Sequence, residues 1–150
     1  MNPRVKRLLE ERGLIRSKLG EESVRKELEG AAYDLERAKA SLSEDDCKWA
    51  TVKGYYSMFH AARALLYLAG YRERSHAALL VALRELYATT GRLTETELDN
   101  FENAMSLRQQ ADYALTFSEE GAQRVLKDAE AFIQTARTLV RKETYLPNPD

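Results

Sequence analysis

The sequence predicts an all-α protein: an antiparallel up-and-down four-helix bundle with a short extra N-terminal helix. Three observations carry this. The three prolines are Pro3, Pro147 and Pro149, so nothing from residue 4 to 146 forbids helix by lacking an N–H. Apolar residues recur at steps of three and four through long segments, as on one helix face. No stretch shows a strand pattern, and no segment repeats.

Each element follows from these patterns. A short helix spans Pro3–Arg12, and Gly13 loosens it; residues 1–19 form a basic N-terminal helical segment. A long helix follows, with Val24, Leu28, Ala31, Leu35, Ala38 and Leu42 on one stripe. Ser43-Glu44-Asp45-Asp46 ends it and caps the next helix, because Ser and Asp side chains accept from free N–H groups. That helix runs from about Asp46 to Ala69 and ends at Gly70. Ser75 caps a helix through Tyr87, closed by Gly91. Thr94 opens another through about Ala114, and Ser118 opens the last, whose stripe is Ala122, Val125, Ala129, Phe132, Ala136 and Leu139. Short loops between amphipathic helices make neighbours antiparallel. The chain reads as one domain over 1–150, with a core at about 20–142 and a tail at 143–150. Val52, Phe59, Leu66, Leu35, Val125 and Phe132 are expected to share one core.

Composition narrows the function classes. The formal net charge is −1, so the whole chain is no electrostatic trap for nucleic acid. The N-terminus is locally basic through Arg4, Lys6, Arg7, Arg12, Arg16 and Lys18, which fits either a solvated helix face or an RNA or partner contact. One cysteine, Cys47, allows no internal disulfide and suits a reducing, cytoplasmic location. No apolar run reaches the roughly 18 residues of a membrane span. There is no zinc-ligand spacing, Gly-rich phosphate loop or Gly-x-Ser-x-Gly elbow, so neither metal nor cofactor is expected.

Candidate functional residues cluster in two stretches. In residues 49–69, half the helical wheel carries Val52, Tyr55, Tyr56, Met58, Phe59, Ala62, Leu65, Leu66 and Ala69, a core face. The other half carries Lys53, Ser57, His60, Ala61, Ala64 and Tyr67, small and polar but hardly charged. Such a face belongs to a central helix or an interface, so Ser57, His60, Ala61 and Ala64 are expected at a homodimer contact. Just beyond, Arg72, Arg74 and His76 precede or open a helix, whose free N–H groups suit a phosphate; an ordinary charged loop fits equally. In SLRQQADYALTF, Arg108 and Asp112 stand one turn apart on the apolar face of Leu98, Phe101, Met105 and Ala111. A buried charge needs a partner, and an i,i+4 pair supplies it. The pair is either a structural register lock or an arginine held for a phosphate, with Asp112 and Tyr113 orienting it.

YYSMFHAARALLYLAGYRERSH followed by RQQADY resembles the HEPN domain (higher eukaryote and prokaryote nucleotide-binding), in its small stand-alone prokaryotic branch, over roughly residues 20–142. The resemblance rests on Tyr55–Arg63, the Ser-His at 75–76, and Arg-x-x-Ala-Asp-Tyr at 108–113. It implies a four-helix bundle that dimerises and is encoded beside a minimal nucleotidyltransferase, some such pairs being toxin–antitoxin systems. Ribonuclease members show Arg, four to six residues, then His. Here the matching positions after Arg108 hold Tyr113, Ala114 and Leu115, and an unperturbed phenol of pKa about 10 is a poor proton carrier near neutrality. The resemblance therefore implies a binding module for a nucleotidyltransferase that also takes a nucleotide or RNA phosphate. A metal-independent endoribonuclease toxin, with Arg108, Tyr113 and His76 as candidate catalytic residues, and a purely structural dimer are the alternatives.

Overall fold

The computed structural model describes residues 2–145. Its elements are α1 (Pro3–Glu10), β1 (Leu14–Arg16), α2 (Glu21–Ser43), α3 (Cys47–Leu68), β2 (Tyr71–Glu73), α4 (His76–Leu83), a π-helical turn (Arg84–Ala88), α5 (Glu95–Tyr113) and α6 (Glu119–Tyr145).

Polar side chains start the helices where expected. Asp46 Oδ1 accepts from the Trp49 N–H at 3.2 Å, and Ser75 Oγ from Ala78 at 3.0 Å. Thr94 and Glu97 form a reciprocal capping box, and Ser118 Oγ accepts from Gly121 at 2.9 Å. The four long helices run up and down. Between α2 and α3, Lys53 donates to Ser41 Oγ at 2.8 Å near one end and Arg63 faces Glu27 near the other. Between α5 and α6, Phe101 meets Phe132, while Leu107 approaches Gly121. α3 and α6 run in the same sense across the bundle. They approach closely because Gly54 has no side chain: a Cβ there would sit 2.8 Å from Val125 Cγ1.

One core cluster holds Leu35, Phe59, Leu66, Val125 and Phe132 together with Tyr55, Met58, Phe101 and Tyr87. Val52 is buried too, outside that cluster. α3 is enclosed nearly all round. The small residues Ser57, Ala61 and Ala64 are fully buried inside the chain, with Ala64 packed beside Val24 of α2. The expected homodimer contact through Ser57, Ala61 and Ala64 is therefore corrected. Close helix approach is what the small residues allow, but the approaching helix is the chain's own.

Three further expectations are corrected. A two-stranded antiparallel sheet exists, pairing Leu14 with Glu73, Ile15 with Arg72 and Arg16 with Tyr71. Three-residue strands are too short to show a period-two pattern. Residues 1–19 are not one helix, since Arg12 adopts φ 61° and the chain then enters β1. The helix after Ser75 is α-helical only to Leu83, and the π turn that follows carries Tyr87 inward to donate to the Leu65 carbonyl at 2.6 Å. At the C-terminus α6 continues to Tyr145; the rest of the expected tail, residues 146–150, lies outside the described residues. Among the described residues no helix is long and apolar enough to cross a membrane.

Candidate functional site

Two tyrosines on α3, the first residue of α4 and the last turns of α5 meet on one side of the bundle. Arg108 is 13% exposed. Its Nη2 donates to Tyr56 Oη at 2.8 Å and stands 3.4 Å from Asp112 Oδ2. Three rings surround the guanidinium, with centroids 5.8 Å away for Tyr55, 5.2 Å for Tyr56 and 5.5 Å for Tyr113. Arg108 Nε is buried and has no hydrogen-bond acceptor. Such a fork, framed by aromatic faces, suits a planar or tetrahedral oxyanion.

His76 lies on the same side. Its Nδ1 is 2.7 Å from Tyr55 Oη, and its ring packs 4.5 Å from that of Phe59. Burial pushes the His76 pKa below its ordinary value, the Arg108 guanidinium adds to that, and Glu73 opposes it. Burial likewise holds the Tyr55 phenol well above the usual range. Tyr55 therefore links a neutral imidazole to the surroundings of a fixed cation.

A second polar chain runs along α3. Arg63 Nε pairs with Glu73 Oε2 at 3.1 Å, as an ion pair without a hydrogen bond's geometry, and Arg63 Nη1 lies 3.6 Å from Glu27. Glu27 binds His60 Nδ1 at 2.6 Å, and Asp34 stands 3.4 Å from His60 Nε2. The hydrogen bond to Glu27 raises the His60 pKa, with its charge and that of Asp34 adding to it against burial. His60 is thus spoken for by α2.

The sequence-derived residues divide accordingly. Arg108, Asp112, Tyr113 and His76 come together around Tyr55 and Tyr56. Arg72 and Arg74 do not join them: both are exposed, because the alternation of β2 turns Glu73 inward and its neighbours outward. Of the expected Arg72–Arg74–His76 cluster, His76 packs against α3 while the two arginines stay exposed. Sequence reading missed Tyr56, Arg63 and Glu73 as polar participants. The first two had a signal, since Lys53, Tyr56, His60 and Arg63 follow one another at steps of three and four. Glu73 had none. Among the described residues no cluster of His, Cys, Asp or Glu could hold a metal ion.

The family described as HEPN domain matches residues 24–139. The chain belongs to the HEPN family. This HEPN chain is 34% identical over 90 residues to a UPF0332 protein of Archaeoglobus fulgidus, covering 59% of the chain and 71% of that relative. A UPF0332 protein of Thermotoga maritima is 29% identical over 109 residues, 71% of the chain and 82% of the relative. A Methanocaldococcus jannaschii protein named "Putative toxin MJ0605" is 25% identical over 122 residues, 81% of the chain and 91% of the relative.

Proposed function

We propose that this HEPN protein belongs to a toxin–antitoxin-type pair. It binds a nucleotide or RNA phosphate at Arg108 and docks a minimal nucleotidyltransferase. The observation that carries the phosphate half is Arg108 itself: a mostly buried fork held by Tyr56 and Asp112, ringed by three tyrosines, with Nε lacking an acceptor. HEPN membership and the toxin-named relative support the pair. In calorimetric titration with ATP and with a short single-stranded RNA, the parent binds at least one, and Arg108→Ala weakens it by about tenfold or more, as expected for a lost charge-assisted contact. Arg108→Lys restores little, because the ammonium lacks the bidentate fork. A parent that binds neither ligand removes the phosphate half. Failure of a co-expressed minimal nucleotidyltransferase to co-elute removes the partner half.

One observation favours a second reading, metal-independent RNA cleavage: the neutral His76 shares Tyr55 with Arg108. In that reading the imidazole takes the 2′-hydroxyl proton, the 2′-oxygen attacks phosphorus, and the 5′-oxygen leaves with a proton to give a cyclic phosphate. Arg108 stabilises the charge that develops on the phosphoryl oxygens. RNA cleavage in the presence of a chelator, abolished by His76→Ala and by Arg108→Ala, would establish it; intact RNA after prolonged incubation with the parent would dismiss it.

A further inference from the structure

At one end of the bundle, the end of α2, the starts of α3 and α6 and the end of α5 come together. Ala38 and Ala50 pack with Ala122 and Leu126, and Thr51, Thr116, Phe117 and Gly121 line a shared cleft of about 110 Å³. Four large apolar side chains are exposed there: Trp49 at 44%, Tyr113 at 76%, Leu115 at 68% and Phe117 at 49%. Leu115 is the informative one. It adopts φ 52°, a left-handed conformation where glycine or asparagine is the easier choice. The loop around it is pinned, since the N–H groups of Ala114 and Thr116 both donate to the Gln110 carbonyl. The fold buries little of this leucine, which leaves an apolar side chain at the end of α5 free for contact with something else.

The charge of the surroundings says what. Glu44 and Asp45, just after α2, and Glu119 and Glu120, at the start of α6, are exposed at the same end of the bundle. Of the basic residues nearby, Lys48 lies over the Trp49 ring and Arg124 pairs with Asp128. An acidic rim repels nucleic-acid phosphates and repels a second copy of itself in a two-fold contact. It complements a basic one.

We propose that this end of the bundle docks a protein partner through an amphipathic segment of apolar and basic side chains, with Leu115 and Phe117 as its apolar anchors. The proposal goes beyond the phosphate reading of Arg108 and does not depend on it. Tyr113 belongs both to this surface and to the surroundings of Arg108, so a docked segment reaches the margin of that site.

Trp49 is the chain's sole tryptophan and is exposed in the first turn of α3, so a segment docked across this end of the bundle changes its surroundings. The probe is a tryptophan-free helical peptide of lysine and leucine, about 18 residues or five turns long, with a glutamate-for-lysine counterpart as control. The lysine peptide shifts Trp49 emission to the blue on binding, and the glutamate peptide does not. Leu115→Gly weakens binding by about tenfold or more, the loss of one aliphatic anchor. The same variant melts at or above the parent's temperature, because glycine relieves the left-handed backbone. Its RNA or nucleotide binding stays at the parent's level. The double variant Glu119→Lys, Glu120→Lys also loses the peptide. Several results overturn the proposal: no binding by the parent, undiminished binding by Leu115→Gly, or a marked fall in its melting temperature, which would make Leu115 structural. Two others do so by naming a different occupant. One is a parent dimer that Leu115→Gly dissociates. The other is a single-stranded RNA that shifts Trp49 with the same dependence on Leu115.

Discussion

Arg108 is a cation that the fold takes most of the way out of water and then partners unevenly. Tyr56 accepts a hydrogen bond from it at 2.8 Å, whereas Asp112 faces it at 3.4 Å and is itself partly exposed. The tyrosine is therefore expected to matter more to stability. Tyr56→Phe should cost about 1.5–3 kcal/mol, the range for a hydrogen bond to a charged group. Asp112→Ala should cost about 1 kcal/mol or less, since water reaches that side of the pair. Chemical denaturation of the two variants checks this, and the reverse order would mean that Asp112 is the principal anchor. The Arg108–Asp112 pair was legible in the sequence, because two charges one turn apart on an apolar stripe demand each other. Tyr56 was passed over, because a tyrosine at core spacing reads as core even where it also shares a stripe with Lys53, His60 and Arg63. Phe59 was read correctly as core, and Phe59→Ala should cost about 3–5 kcal/mol. A variant melting within a degree or two of the parent would contradict that placement.

At the scale of elements, two mid-helix glycines have opposite reasons to exist. Gly54 lies where α3 meets α6, and a side chain there strikes a β-branched valine whose methyl cannot swing away. Gly30 faces the His60 ring, with 3.5 Å of room for a Cβ, an ordinary contact. Gly30→Ala should stabilise the protein by about 0.5–1 kcal/mol through helix propensity. Gly54→Val should destabilise it by about 1–3 kcal/mol by overpacking, outweighing any gain in propensity. Thermal melts of both variants test the pair, and equal shifts in one direction would show that α3 and α6 are not in close contact. The sequence disclosed the helices through their caps: Asp46, Ser75, Thr94 and Ser118 all act where short-range chemistry placed them. It concealed β1 and β2, whose pairing joins Ile15 to Arg72 across an intervening helical hairpin. It pointed to a second copy against the small face of α3, where the chain's own α2 packs, since spacing identifies a face and not its occupant.

Across the whole molecule the two histidines give stability opposite dependences on pH. His60 has a folded-state pKa above the ordinary 6.5, through the hydrogen bond to Glu27 first and then the charges of Glu27 and Asp34. Its tie between α2 and α3 is fully present below about pH 6.5 and is lost as pH rises through the raised value. His76 has a folded-state pKa below 6.5, through burial first and the nearby Arg108 second. As pH falls below about 6.5 the unfolded chain takes up that proton before the folded one, and stability declines until the lowered value is passed. Glutamine keeps much of the size and hydrogen-bonding capacity of either ring but does not titrate. His60→Gln should therefore lie furthest below the parent in melting temperature at about pH 6 and approach it as the pH rises through the raised value. His76→Gln should gain on the parent between about pH 7 and pH 5, because it escapes the protonation penalty. Melting curves of the three proteins across that range decide the matter. A deficit for His60→Gln that stays constant with pH would mean that the Glu27–His60–Asp34 group holds α2 to α3 without a titrating proton. A His76→Gln curve parallel to the parent's on the acid side would mean that the imidazole beside Tyr55 and Arg108 charges as freely in the folded chain as in water.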